Sequence, residues 1–182
     1  MRVSSLATLA LMSDDLPRGR PSLRLPDYDY AQLGAYFVTI CTLDRVCCFG
    51  RIIDGESRLN DAGNMVSAVW VALPQRFAHI ILDAFIVMPN HLHGIVMIQE
   101  YRAGQALGQI MGAFKSIATN RYIVGVRQEG WPRFAGRLWQ DNYFEHIIRN
   151  EASLDRIREY IAANPLGWED DPERPASDSR AF

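Results

Sequence analysis

The chain has 182 residues, of which 48% are hydrophobic, and carries a formal net charge of −2 at pH 7. This length and apolar content suit a single globular domain with some tail. The slightly acidic balance excludes a protein that coats duplex DNA through overall positive charge, so any nucleic-acid site must be local.

The sequence carries no pattern typical of membrane insertion or export. The apolar run at residues 6–12 is too short to span a bilayer, and the charges around it do not make a signal peptide. The three cysteines are an odd number and do not resemble a secreted disulfide framework. We therefore expect a soluble, cytoplasmic protein with no membrane partner.

The N-terminal residues 1–34 mix Ser, Pro, Asp and Arg without sustained periodicity, which predicts an extended arm. Arg18, Arg20 and Arg24 form a basic patch within it. These side chains could contact phosphate groups of DNA, and the alternative is a solvated tail.

The segments after the arm alternate between strand and helix patterns. Residues 35–42 are rich in β-branched and aromatic side chains and predict a strand, and residues 48–53 predict a short strand before an Asp-Gly turn. Asn60 or Asp61 can cap a first helix, whose apolar residues recur at helical spacing and stop at Pro74.

Two paired strands and a second helix follow. Residues 80–87 and 91–98 predict an antiparallel pair joined through Met-Pro-Asn, where Pro and Asn are natural turn residues. Apolar residues from Leu107 onward predict a second amphipathic helix. We expect Gly125 and the Gly-Trp-Pro sequence at residues 130–132 to break it.

The C-terminal part predicts one more strand and one more helix. Residues 138–148 mix aromatic and polar groups, as a partly exposed strand does, and Asn150 can cap a third helix over residues 151–163. Pro165 ends this helix. The acidic residues 169–182 have nothing to bury and predict a disordered tail.

The resulting order is βαββαβ with an additional C-terminal helix. This order is the signature of an α+β, ferredoxin-like sandwich, in which two helices cover one face of an antiparallel sheet and the other face is open. We therefore divide the chain into an arm at residues 1–34, a domain at residues 35–168 and a tail at residues 169–182.

Two histidines open the strand at residues 91–98. Because strand side chains alternate, His91 and His93 share the open face, and Leu92 points toward the helices. Two adjacent imidazoles can hold one metal ion, and a purely structural pair is the alternative.

Tyr160 and Asn164 lie four residues apart and share one side of the third helix. Taken alone, a half-buried tyrosine and a helix-terminal asparagine are common structural residues. If this helix packs across the open face, an amide oxygen and two imidazoles could hold a divalent ion beside a phenol.

Four motifs in a fixed order carry a family resemblance. They are Met-Pro-Asn-His-Leu-His at residues 88–93, Phe-Lys-Ser at 114–116, the aromatic segment at 138–149 and Tyr-Ile-Ala-Ala-Asn-Pro at 160–165. Together they resemble the REP-associated tyrosine transposases, which belong to the single-tyrosine HUH transposases. The resemblance covers residues 25–168 and implies a catalytic domain that cleaves and joins single-stranded DNA.

The resemblance also implies a role for each site residue. His91 and His93 correspond to the metal ligands, Tyr160 to the nucleophile, and Asn164 to the polar residue beside the metal. It implies Mg²⁺ or Mn²⁺ as cofactor and a 5′-phosphotyrosine intermediate. The implied partner is a hairpin from an extragenic palindromic repeat, bound by a nucleoid-associated monomer or homodimer.

Further side chains are candidates for DNA contact because they are basic or aromatic. They are Lys115, Arg121, Trp139, Tyr143 and Arg149. Tyr122 and Tyr143 are competing nucleophiles, but neither has a polar partner matching Asn164. His146 could assist the site or only orient a neighbour.

Two other functions fit the same residues. One is a non-catalytic module that binds single-stranded RNA or DNA by aromatic stacking. The other is a metal-dependent phosphoesterase that uses water and forms no protein adduct. The sequence also leaves open whether Tyr160 serves the histidines of its own chain or of a partner.

Overall fold

The structure, a computed structural model, describes residues 28–175. Arg18, Arg20 and Arg24, with most of the arm in which they were predicted to contact DNA, lie outside the described residues, as do residues 176–182. Within the described part, no helix combines the length and the apolar character that crossing a membrane requires.

The described residues form six strands and three main helices. In chain order these are β1 (Gly34–Cys41), β2 (Gly50–Ile53), β3 (Glu56–Leu59), α1 (Asp61–Val71), β4 (Ile80–Val87), β5 (His91–Ile98), α2 (Leu107–Gln128), β6 (Phe144–Ile148) and α3 (Glu151–Ala163). A single helical turn, Leu73–Arg76, follows α1, and a 3₁₀ segment, Asn164–Asp170, follows α3.

The main sheet confirms the predicted ferredoxin-like architecture. Its strand order is β4-β5-β1-β6, and every neighbouring pair is antiparallel. Leaving aside the small β2–β3 sheet, the elements follow the βαββαβ order, with α3 as the additional helix. The bounds of β4, β5 and α3 are those that the sequence predicts.

The β2–β3 hairpin is an insertion that the sequence predicts only in part. The Asp-Gly turn is present, and Asp54 and Gly55 both take positive φ values, 51° and 74°. Such values are those of a two-residue hairpin turn that matches strand twist. The returning strand β3, Glu-Ser-Arg-Leu, was missed because only its last residue is a strong candidate for a buried position.

Two helix ends follow the predicted capping chemistry. The Asn60 side chain accepts a hydrogen bond from the Gly63 amide at 2.9 Å, and the Asn150 side chain accepts one from the Ser153 amide at 2.9 Å. Each satisfies an amide that has no partner within its helix.

The predicted break at Gly125 is wrong, because α2 continues to Gln128. A Cβ on Gly125 would lie 2.3 Å from the ring of Trp131. The glycine therefore allows the helix to pass close to an aromatic ring, and it does not end the helix.

The two faces of the sheet have different cores. The first face packs against α1 and α2, where Trp70 lies edge-on to Phe114 with 5.3 Å between ring centroids. Leu92 points to this side and is completely buried. The second face, predicted to be open, is covered by α3 through a smaller cluster that includes Phe37, Ile95 and Ile157.

The prediction of a disordered tail is wrong for residues 169–175, which contact the rest of the domain. Asp171 is only 8% exposed, and the Asn90 amide group donates to the Glu173 carbonyl at 2.7 Å. We expected nothing in this stretch to be buried, but the 3₁₀ segment after α3 returns the chain to the strand edge where β5 begins.

Candidate metal and nucleophile site

His91 and His93 converge on the face covered by α3. Both are buried, at 0% and 3% exposure, and their Nε2 atoms lie 3.1 Å apart. The alternation of β5 produces this arrangement, because the intervening Leu92 belongs to the opposite core. The two ring nitrogens therefore point at one common position.

Hydrogen bonds orient both rings through their other nitrogens. The Asn90 side chain donates to the carbonyls of Arg45 and Glu173 at 3.0 and 2.7 Å, so its Oδ1 is left to accept from His91 Nδ1 at 2.8 Å. His91 Nε2 then presents a lone pair. His93 Nδ1 is held by the Thr39 hydroxyl at 2.8 Å. Such partners are typical of ligating histidines, whose tautomer they set.

Burial keeps both imidazoles neutral. Loss of solvation lowers the pKa of His93 to about 3, and the same cause, followed by the neighbouring His93, lowers the pKa of His91 well below its usual value. The neutral ring is the form that binds a metal ion. At neutral pH the pair is therefore ready to act as a ligand.

Tyr160 reaches the same position from α3. Its hydroxyl lies 3.5 Å from His93 Nε2 of the same chain, and its ring packs edge-on against Phe37. Burial is the main cause that raises the pKa of Tyr160 above its usual range, and the carboxylates of Asp171 and Glu173 raise it further. The phenol is therefore protonated near neutral pH.

One ion pair fixes α3 on the sheet near this tyrosine. Arg158 Nε donates to Asp83 Oδ1 at 2.9 Å and its Nη2 donates to Asp83 Oδ2 at 2.7 Å. The geometry is the two-pronged one that guanidinium and carboxylate groups favour. It connects α3 to β4, the edge strand that α3 crosses.

Asn164 lies one turn beyond Tyr160, at the end of α3. It is 6% exposed, and its Oδ1 has no hydrogen-bond partner among the described residues. The carboxamide lies beside His91, Tyr160 and Asp171. A buried oxygen without a donor is unfavourable, and a cation at this position would satisfy it.

Asp171 joins the site, although no pattern in the sequence predicts it there. Its Oδ2 lies 3.9 Å from His91 Nε2, and its Oδ1 accepts from the Glu173 amide at 2.7 Å. Burial raises its pKa to about 6. No spacing rule relates it to the histidines, and the only available signal was the apolar Trp168 just before the acidic stretch.

These donors together fit a divalent cation. Potential ligand atoms of His91, His93 and Asp171 all lie within 4.8 Å of one another, and all three residues are buried. The Asn164 oxygen adds an unsatisfied acceptor. Mixed imidazole, amide and carboxylate ligands suit a borderline or hard divalent ion.

The residues predicted to contact DNA lie elsewhere and differ in exposure. Arg121 and Arg149 are exposed, and Tyr143 is half-buried. The Lys115 ammonium donates to the carbonyls of Gln140, Asp141 and Asn142. It therefore holds the loop before β6 together.

Trp139, which the sequence predicts to contact DNA, lies in the core instead. It is 4% exposed and packs between Phe49 and Phe114, so it belongs to the core and offers no face to a base. The competing nucleophile Tyr122 is also in this core, at 1% exposure. His146 lies on β6 opposite Phe37.

Comparison with known proteins gives a family match and a fold match. The sequence model of the family described as IS200-like transposases matches residues 64–164, from α1 to the end of α3. A solved structure of a REP-associated tyrosine transposase bound to a REP hairpin superposes with a TM-score of 0.54 at 17% sequence identity. That match covers 90% of this chain and 95% of the other, and it shows a shared fold.

Two Haemophilus influenzae proteins are similar in sequence. One is uncharacterised and is 38% identical over 174 residues, with 84% of this chain and 91% of that protein covered. The other, provisionally named a REP-associated tyrosine transposase, is 25% identical over 141 residues, with 76% of this chain and 73% of that protein covered.

Proposed function

The chain belongs to the family of IS200-like transposases, and on that premise we propose that it cleaves and rejoins single-stranded DNA with Tyr160 as the nucleophile. The observation that carries the proposal is the position of the Tyr160 hydroxyl, 3.5 Å from His93 Nε2 within one chain. A nucleophile, two neutral imidazoles and an unsatisfied amide oxygen meet there between α3 and the sheet. The catalytic unit comprises residues 35–168, extended by Asp171.

A divalent cation, Mg²⁺ or Mn²⁺, would be held by His91, His93 and Asn164, with Asp171 as a further ligand. When bound, it would polarise the scissile phosphate and neutralise the charge that develops on it. Asn90 and Thr39 hold the two rings, so the ligand atoms are oriented before DNA arrives.

The reaction we propose is a balanced transesterification. The Tyr160 oxygen forms a bond to phosphorus while the bond from phosphorus to the 3′-oxygen breaks. The phenol loses one proton and the leaving 3′-hydroxyl gains one. Because one phosphodiester replaces another without water, the step is reversible, and a 3′-hydroxyl can later attack the 5′-phosphotyrosine to rejoin strands.

The tyrosine must lose its proton in a pocket that disfavours the phenolate. Burial and two nearby carboxylates raise its pKa, so deprotonation has to accompany attack or follow from added positive charge in the pocket. Asp171, whose pKa burial raises to about 6, is largely ionised near neutral pH and lies close enough to influence this proton.

The substrate class we propose is single-stranded DNA that carries a hairpin. Support comes from the shared fold with a REP-associated tyrosine transposase that binds a REP hairpin. A single chain supplies both the tyrosine and the histidines, so the site does not need a partner subunit. A monomer is therefore sufficient for cleavage in this proposal.

The test is a covalent-adduct assay. Purified protein is incubated with fluorescent hairpin-bearing single strands in Mg²⁺ or Mn²⁺ and resolved on a denaturing gel. We expect an adduct with the wild type and with Tyr122→Phe, and no adduct with Tyr160→Phe or in EDTA. Tyr122→Phe is the matched control because it removes the same hydroxyl from a buried tyrosine.

Other outcomes contradict the proposal in different ways. An adduct with Tyr160→Phe would assign another nucleophile. Metal-dependent cleavage without any adduct would indicate a phosphoesterase that uses water. Tight binding without cleavage would indicate a non-catalytic module.

A further inference from the structure

A large groove lies beside the candidate site and is not explained by the chemistry of Tyr160. It encloses about 1320 Å³ and lies between the β2–β3 hairpin, the loop at residues 132–138 and the segment after α3. Small-molecule pockets are typically about 300–1,000 Å³. The groove is therefore large enough for a polymer segment.

Arginine side chains dominate the charge of this groove. Six arginines line it, against three carboxylates, in a chain whose net charge is −2. The arginines are Arg45, Arg51, Arg58, Arg133, Arg137 and Arg174. The lining side chains therefore carry an excess of positive charge in a chain that is slightly acidic overall. Glu56, Asp141 and Glu173, which pair with lining arginines from outside the groove, offset part of that excess.

Several of these arginines already have a carboxylate partner. Arg45 pairs with Glu173 at 3.0 Å and Arg58 with Glu56 at 2.6 Å, and Arg137 and Arg174 pair with Asp141 and Glu169. Arg51 and Arg133 have no ion pair among the described residues and are exposed. They are the two guanidinium groups most available to an anionic ligand.

The hairpin places two arginines directly opposite each other. Arg51 of β2 and Arg58 of β3 are paired in the register, and both are exposed. Like charges in this relation repel and destabilise a hairpin. Glu56 neutralises Arg58, whereas Arg51 has no ion pair among the described residues, so an anion bound beside Arg51 would relieve the repulsion that remains.

Aromatic rings and the path of the groove point to an unpaired strand. Trp168 and Phe134 are half-buried and line the groove. The Trp168 ring centroid lies 6.1 Å from that of His91, so one wall of the groove lies next to the candidate site. Proteins that bind single strands combine arginines along the backbone with rings on which bases stack.

We propose that this groove binds the single-stranded DNA that flanks the scissile phosphate, with Arg51, Arg58 and Arg133 contacting phosphates and Trp168 stacking on a base. This inference rests on the proposed function, because the groove would bind the substrate of that reaction. None of these four residues is among those that the sequence predicts to contact DNA.

The test is the salt dependence of binding. A fluorescent single-stranded oligonucleotide is titrated with protein in EDTA, so that cleavage cannot occur, and the anisotropy is followed at several salt concentrations. For single strands, each phosphate contact contributes roughly 0.7 to the slope of log affinity against log salt. The double variant Arg51→Ala, Arg58→Ala should lose about 1.4 from this slope, and Arg133→Ala about 0.7.

Arg102→Ala is the matched control. Arg102 is exposed and paired with Glu100 just after β5, at the opposite end of that strand from His91. An unchanged slope in the groove variants, or an equal change in Arg102→Ala, would overturn the proposal. So would a slope change seen only with a blunt duplex of the same length.

A second measurement makes the test independent of the variants. Oligonucleotides that contain 5-iodouracil are photocrosslinked to the wild-type protein, and the modified peptides are identified by mass spectrometry. Crosslinks at Trp168 or Phe134 support the groove, and crosslinks confined to the exposed faces of α2 overturn it. Neither readout needs Tyr160 to react, so a failure here is distinct from a failure of the adduct assay.

Discussion

The two faces of the main sheet differ in what they bury. The face under α1 and α2 carries a cluster of 23 buried hydrophobic residues, whereas the face under α3 carries six. The face under α3 also buries Thr39, His91, His93 and Asn164, all polar. The first face therefore supplies most of the stability, and the second holds groups that would weaken an ordinary core.

This difference explains how one strand can serve both purposes. In β5, Leu92 belongs to the large core, while His91 and His93 face Tyr160. A strand anchored by a well-packed face can hold unfavourable polar groups on the other. The candidate site thus depends on the large core on the opposite face of the sheet, to which its own residues do not belong.

The largest expected effect is on the large core. Phe114→Ala should lower the free energy of unfolding by about 3–5 kcal/mol, because it removes a completely buried ring that packs against Trp70 and Trp139. Urea denaturation followed by circular dichroism measures the loss. Ile157→Ala under α3 is the comparison, and we expect about 2 kcal/mol, the low end of such changes. Equal losses would show that the two faces do not differ in this way.

The next effect is on the orientation of His93, one of the proposed metal ligands. Thr39→Val keeps the side-chain shape but leaves His93 Nδ1 without the hydroxyl that holds it. We expect Mn²⁺ affinity to fall roughly 10–100-fold, as for other residues that orient ligands. Calorimetric titration of Mn²⁺ measures this, with Val38→Ala, which alters the opposite face, as the control. An unchanged affinity in Thr39→Val would mean that the hydroxyl plays no part in holding the ring.

The smallest effect is on the ion pair that holds α3. Asp83→Asn should destabilise the protein by about 0.5–1 kcal/mol at pH 7, because Arg158 and Asp83 are partly exposed and solvent weakens their attraction. The hydrogen bonds from Arg158 lower the pKa of Asp83. The stabilisation that these hydrogen bonds provide is therefore complete above about pH 3.9, the pKa of Asp83 in the unfolded chain. It is lost as the pH falls through the lower pKa that Asp83 has in the folded protein.

Denaturation curves of both proteins across acidic pH check this sign. The difference in the free energy of unfolding between the wild type and Asp83→Asn should disappear as the pH falls below about 4. A gap that widens as the pH falls would contradict the assignment of the ion pair.

The sequence predicts the local parts of this structure well. The bounds of β5 and the common face of His91 and His93 follow from strand alternation alone. Asn150 marks the start of α3 because its side chain can satisfy a free amide. These features depend on neighbours in the chain, so periodicity and capping chemistry are sufficient to find them.

Features that depend on distant parts of the chain could not be predicted. Asp171 reaches His91 only because the 3₁₀ segment after α3 returns to the start of β5. The groove is lined by residues that are far apart in the chain, among them Arg51 of the hairpin and Arg133 of the later loop. Neither arrangement leaves a pattern in the local sequence.

The most direct test of the central claim is Mn²⁺ binding to DNA-free protein, followed by electron paramagnetic resonance. We predict one tight site in the wild type, and its loss in His91→Ala and in His93→Ala by more than the roughly 10–100-fold expected for a supporting residue. His79→Ala is the control, since His79 is equally buried but bonds to the Gln105 carbonyl outside the site, and it should bind Mn²⁺ as the wild type does. Wild-type affinity in both His91→Ala and His93→Ala would contradict the claim that the face under α3 holds a metal ion beside Tyr160.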